Sequence, residues 1–125
     1  DSLKVVFDPE QLHQILWNLC TNAINHAGLN ILQLKIRIEG GISDETHQTV
    51  IDVIDNGHGI DETIESRIFE PFYTTSTEGT GLGLYIIKEI VETNRAKIKY
   101  ITLPDNGSCF RIFFMQGENT ISKKS

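Results

Sequence analysis

The chain has 125 residues, 39% hydrophobic and 22% charged, which fits one compact soluble domain with a core of its own. A net charge of −6 with no basic tract excludes an ordinary nucleic-acid surface, so an anionic ligand would have to be met by backbone amides, a few side chains or a metal. No run approaches the roughly 20 apolar residues of a membrane span and no signal peptide is visible, so no direct membrane contact is expected.

In chain order, "LKVVF" (3–7) predicts a short edge strand. "DPEQ" then starts a helix: Asp8 can cap it, Pro9 suits its first position and Gln11 stands where a capping box wants Glu or Gln. Leu12, Ile15, Leu16, Leu19, Ala23 and Ala27 follow helical spacing, which predicts a helix over 9–27. The alternation in "ILQLKIRIE" (31–39) and "QTVIDVID" (48–55) predicts two strands of a hairpin around the loop "GGISDETH". "DETIESRIF" (61–69) suits a short helix capped by Asp61, and 70–81 has no periodicity and reads as a loop. "LGLYIIKEIVETN" (82–94) is a second amphipathic helix, and "AKIKYITL" and "SCFRIFFM" are strands joined at "PDNG" by a tight turn. This order predicts an α/β (α+β) two-layer sandwich: a mixed, mostly antiparallel sheet packed on helices, spanning 1–116 and followed by a polar tail, 117–125. Cys20 and Cys109 lie in separate apolar runs and read as buried free thiols.

Three features carry chemistry. At 100° per residue, Asn18, Asn22 and Asn25 form one narrow stripe beside the apolar face of the first helix, extended by Gln11 and Gln14. A row of amides at the core's edge suits a cleft wall, and an amide oxygen is a hard, neutral ligand for Mg2+ when phosphates complete the shell. The alternative is a solvated helix face. Second, "DVIDNGHGI" places Asp55 at a strand end before Gly57 and Gly59. A carboxylate there can accept a hydrogen bond from an exocyclic amine such as adenine's, and the alternative is an Asx-turn closing the strand. Third, Gly79, Gly81 and Gly83 lead straight into a helix, whose unpaired N–H groups and partial positive charge suit phosphate. This is neither a Walker A loop, which needs GK[ST], nor the dinucleotide fingerprint, whose third glycine is replaced by Leu84.

Together and in this order, the features resemble the ATP-binding (Bergerat) fold of the GHKL superfamily, in particular the catalytic domain of bacterial sensor histidine kinases. "NLCTNAINHA" is similar to the N-box, "DNGHGI" to the first glycine box, "FEPFYTT" to the F-box and "GTGLGL" to the second glycine box, while "NGSCFRIFF" resembles the closing strand. The F-box and "YTTSTEGTGLGLYI" lean toward the nitrogen-regulation and pilus-regulation types.

The resemblance implies ATP and Mg2+ as cofactors, with Asn22 as metal ligand, Asn18 one turn earlier on the same wall, and Asp55 reading the adenine amino group. It implies nucleotide contacts from Asn25, His26, Gly57, Gly59, Ile60, Phe72, Thr74, Thr75, Gly79, Thr80, Gly81, Leu82, Gly83, Leu84 and Ser108, with 70–80 as the ATP lid. Catalytic roles would fall to Asn18, Asn22 and His26. ATP-hydrolysing relatives carry a glutamate at the position of Asn18, and an amide cannot act as that base, so the γ-phosphate is expected to go to a histidine; the alternatives are an ATP hydrolase of the same superfamily and a regulatory nucleotide-binding or serine-kinase module of the anti-sigma kind. The resemblance implies an acceptor histidine on a separate dimerisation domain, followed there by Glu or Asp, and a response regulator downstream; none of His13, His26, His47 and His58 precedes an acidic residue. Two departures from the family leave compensation of the γ-phosphate charge open: His26 stands near a position where many relatives have Lys or Arg, and Thr74, Thr75 and Ser76 replace a basic residue in the lid. Lys88 and Arg67 are the remaining cations near the motifs, each with a solvated-surface alternative. The chain lacks an initiating methionine, and we expect a monomeric piece of a longer, cytoplasmic signalling protein whose parent can be anchored in the bacterial inner membrane.

Overall fold

The computed structural model describes residues 6–26, 32–73, 83–103 and 107–115, with the side chains of residues 25 and 26 left out. Its elements are helix α1 (Pro9–His26), strands β1 (Ile36–Ile42) and β2 (Thr49–Asp55), a 3-10 turn at Glu65–Arg67, helix α2 (Gly83–Thr93), and strands β3 (Lys97–Thr102) and β4 (Ser108–Phe113).

The start of α1 is the expected one. Asp8 Oδ1 accepts from the N–H groups of Glu10 at 2.9 Å and Gln11 at 3.2 Å, and Pro9 loses no bond at the first helical position. Gln11 does not complete a capping box. Its Oε1 accepts from Asn94 Nδ2 at 2.8 Å, and the Asp8 N–H that the box would have satisfied donates instead to Asn94 Oδ1 at 3.0 Å. One asparagine after α2 thus fastens the beginning of α1, and the long-range partner displaces the local one. It also withdraws Gln11 from the amide stripe.

Ile15, Leu19 and Ala23 bury the inner face of α1, and Ile87 and Val91 that of α2. They pack on one side of an antiparallel sheet of order β1-β2-β4-β3. Register aligns Val53, Phe110 and Tyr100 across three strands, and Ile51, Ile112 and Ile98 in the next row, so both rows meet the helices. Because β4 is flanked on both sides, Cys109, Phe110 and Ile112 are buried. The opposite sheet face carries Asp52 beside Arg111, a two-pronged pair with Nε–Oδ1 at 2.7 Å and Nη2–Oδ2 at 2.9 Å. The two-layer expectation therefore stands, and every pairing among the described residues is antiparallel.

Three local expectations change. The first hairpin strand begins at Ile36 rather than 31, because Asn56 holds the preceding chain: its Oδ1 accepts from Lys35 N–H at 2.7 Å and its Nδ2 donates to Gln33 O at 3.0 Å. The strand instead runs on through Gly40 and Gly41, which the sequence pattern places in the loop. The helix expected over 61–69 is a chain of linked turns, with i→i+3 bonds into Asp61, Ile64, Arg67 and Glu70. Asp61 Oδ1 accepts from both N–H and Oγ1 of Thr63, closing a local turn rather than capping a helix. This tighter path lets Ile68 join the core while Phe69 sets its ring edge-on to Phe110 at 6.1 Å. The strand over 3–7, the lid beyond Tyr73, the turn at 104–106 and the tail 117–125 lie wholly or mostly outside the described residues. Both cysteines are free: Cys109 is buried and Cys20 half-buried.

Candidate functional site

Helices α1 and α2 run antiparallel, since Asn94 after the end of α2 grips the start of α1. The first turn of α2 consequently lies against the C-terminal half of α1. Between them opens a cleft of about 290 Å3 lined by Asn18, Thr21, Asn22, Gly83, Leu84 and Ile87. Ile87 belongs to the core, so the cleft has an apolar floor and an amide wall. The first turn of α2 holds no carboxylate to compete with an incoming anion, and a helix N-terminus presents unpaired N–H donors.

A second group of polar residues gathers where β2 ends beside the start of β4. Asp55 faces Ser108 in the register and both are buried. Gly57 N–H donates to Asp55 Oδ1 at 2.8 Å, so the Asx-turn is present. It consumes one carboxylate oxygen and leaves Oδ2 for another donor. Burial raises the Asp55 carboxyl above the ordinary carboxylate range, and the Gly57 bond opposes that shift. Gly59 adopts φ 79°, the left-handed conformation that turns the loop back toward Ile60. Ile60 N–H donates to the Tyr100 hydroxyl at 2.8 Å, and that hydroxyl lies 3.2 Å from Ser108 Oγ. A side chain at Gly107 would come within 2.6 Å of the Asp55 carbonyl oxygen, so glycine is required there.

The structure therefore brings Asn18, Asn22, Gly83 and Leu84 to one cleft, and Asp55, Gly57, Gly59, Ile60 and Ser108 to one strand end. Asp55 is not on the walls of the cleft. Phe72 lines neither group; it is 73% exposed, with a left-handed backbone at φ 68°. The side chains of Asn25 and His26, and residues Thr74, Thr75, Gly79, Thr80, Gly81 and Leu82, lie outside the described residues. Lys88 is paired with Glu92 at 3.4 Å, while Arg67 is paired with Glu70 at 3.3 Å and stacks on Tyr73 at 4.5 Å, as solvated surface cations do. Sequence reasoning missed Thr21 and Tyr100. Thr21 shares the face of Asn18 and Asn22 by i,i+3 spacing, and Tyr100 falls on the inward phase of "KIKYIT", where a ring with a polar tip could have signalled a buried partner.

The donor set can be tested against a magnesium ion. Among the described residues no group of three or more His, Cys, Asp or Glu could hold a metal by itself. Neutral amide oxygens at the cleft fit an ion that takes the rest of its shell from phosphates and water.

Residues 7–118 match the family model for histidine kinase-, DNA gyrase B- and HSP90-like ATPases. The chain is 38% identical over 112 residues to the sensor protein kinase PilS of Pseudomonas aeruginosa, covering 90% of this chain and 21% of PilS, which agrees with the leaning toward the pilus-regulation type. Its fold is similar to the catalytic domain of histidine kinase ThkA, with a TM-score of 0.69 at 35% identity, over 86% of this chain and 68% of that one. It is also similar to full-length ShkA in complex with AMPPNP, with a TM-score of 0.66 at 25% identity, over 83% of this chain and 21% of that one. The chain thus spans about a fifth of the length of the curated relatives it matches (21% of PilS). It belongs to the histidine kinase-, DNA gyrase B- and HSP90-like ATPase family, as an ATP-binding domain of the sensor histidine kinase kind.

Proposed function

We propose that this domain holds ATP with Mg2+ across both groups and donates the γ-phosphate to a histidine on a separate dimerisation domain of its parent protein, for onward passage to a response regulator. In this reading Asp55 accepts from the adenine amino group, Asn22 and Asn18 hold the metal–phosphate end, and the first turn of α2 faces the phosphates. The neighbour seen with AMPPNP supports a nucleotide as the ligand. Residues 1–116 would act as one unit on the cytoplasmic side, where ATP is available. No helix of the described residues is long and apolar enough to cross a membrane.

The observation that carries the reading is the identity of the cleft wall. Asn18 and Asn22 present amides where a hydrolase needs a carboxylate near the attacking water, and an amide has no useful basicity. Transfer then depends on positioning and charge neutralisation, with Mg2+ supplying part of the latter. Calorimetry with ATP and GTP, with and without Mg2+, tests binding, and steady-state phosphate release tests the reaction class. Preference for ATP together with slow release is expected; rapid multiple-turnover release from the isolated domain would make it a hydrolase.

A further inference from the structure

We propose that Tyr100 is a positioning residue that fixes the Ser108 hydroxyl as a hydrogen-bond donor toward the base, and so contributes to adenine selectivity. The inference rests on the proposed reading of Asp55 and Ser108 as the base end of the site, and it concerns a residue outside the motifs that suggested that reading. A backbone N–H only donates, so in the 2.8 Å bond with Ile60 the phenol oxygen is the acceptor. Its one hydrogen remains free to donate, and Ser108 Oγ, 3.2 Å away, accepts it. Ser108 Oγ therefore accepts from Tyr100 and keeps its own hydrogen, which no other described bond uses.

The phenol is held in place. Tyr100 is half-buried, with its ring against Phe110 at 5.2 Å and 63°, and strand register seats it beside Phe110 and two residues from the Ser108 row. Across that row, Asp55 faces Ser108 on the neighbouring strand. The strand end then offers an acceptor, Asp55, next to a donor, Ser108. Adenine presents the complement along its pairing edge, an amino donor beside a ring-nitrogen acceptor, whether met directly or through a water. Guanine presents the reverse, a carbonyl acceptor beside an N–H donor. A serine free to rotate could serve either base, or could donate to Asp55 and occupy the oxygen meant for the amine. The phenol removes that freedom.

The test is Tyr100→Phe, which keeps the ring and its packing and removes only the hydroxyl. Calorimetry is run with MgATP and MgGTP on wild type, Tyr100→Phe, Ser108→Ala and the double variant, with melting curves to verify folding. The expected result is a weakening of ATP binding by about five- to twentyfold, with GTP affinity changed less than about twofold, so that the ATP/GTP ratio falls. On the Ser108→Ala background the phenol should matter no further for that ratio, because its effect passes through Ser108. An unaltered ratio in Tyr100→Phe, or equal losses for both nucleotides, overturns the proposal, as do additive effects in the double variant. Should Tyr100→Phe fail to fold, Ser108→Ala alone decides: it must lower the ratio, and an unchanged ratio defeats the idea. Failure of the underlying reading looks different, since wild type would then bind both nucleotides alike and Asp55→Asn would leave them alike.

Discussion

The two halves of the proposed site, the strand end and the helix cleft, are built in opposite ways. At the strand end, Asp55, Gly57, Ile60, Tyr100 and Ser108 are bonded to one another before any ligand arrives, and sheet register fixes their spacing. At the helix cleft, the side chains of Asn18 and Asn22 make no hydrogen bond among the described residues and face a cavity of about 290 Å3. A base has a fixed pattern of donors and acceptors, so a rigid, pre-ordered reader discriminates it well. A phosphate chain with its metal is flexible and strongly charged, and neutral amides with a helix terminus can meet it without prior order. Selectivity should therefore reside at the sheet, and metal dependence at the helices.

The largest expected effect breaks the sheet half. Asp55→Asn replaces a charged acceptor with a neutral one and should weaken ATP binding about ten- to a hundredfold by calorimetry, erasing the ATP/GTP preference. The same substitution should spare the metal dependence. Its pH behaviour has a definite sign. The folded Asp55 carboxyl titrates above its ordinary range because it is buried, so the folded state takes up its proton more readily than the unfolded chain does. The contribution of this group to stability is full below the ordinary aspartate range and is lost as pH rises through the raised folded value. Without nucleotide, Asp55→Asn should melt higher than wild type at neutral pH, and the difference should vanish in acid. ATP binding should follow the opposite course in wild type, fading as pH falls through the raised value, since the amine needs the ionised carboxylate.

Gly107→Ala is the next largest. Its added carbon would sit 2.6 Å from the Asp55 backbone oxygen, which cannot move without moving the strand. A stability loss of about 1–3 kcal/mol is expected in chemical denaturation, with ATP affinity falling while Mg2+ dependence persists. Asn22→Ala attacks the other half: MgATP binding should weaken about tenfold and metal-free binding much less. Equal losses would remove Asn22 from the metal's shell.

How far the sequence could be read differs between the halves in the same manner. The helix half was legible because helical spacing is local: positions 18 and 22 share a face whatever else the chain does, and Asp8 and Pro9 announce where that helix begins. The strand-end glycines and Asp55 were legible as punctuation after an alternating run. Tyr100 was not, because its role arises from a loop 40 residues earlier meeting it across the fold. Gln11 failed for a related reason, since Asn94, 83 residues away, takes the side chain that a capping box would have used. The linked turns after Asp61 failed because Ile68 and Phe69 must both reach the core, a tertiary demand that overrides a modest helix signal.

The smallest effect on binding should come from the face of the sheet that looks away from the helices, and it sharpens the comparison by serving as its control. Asp52 and Arg111 make their two-pronged pair there, with side chains 12% and 31% exposed. Beside them Cys109 is buried, and burial and the Asp52 charge push its thiol up to about 12. Arg111→Leu would leave Asp52 with a partly buried, uncompensated charge, so a loss of about 1–2 kcal/mol is expected, below the cost for fully buried pairs because water still reaches the guanidinium. The strand would keep its ladder, and Ser108 and Phe110, which flank Cys109 in β4, point to the face opposite Arg111. ATP affinity measured at a temperature where the variant is folded should stay within about twofold of wild type. A larger loss would mean that the two sheet faces communicate through β4, and that the base reader is less rigid than its hydrogen bonds imply.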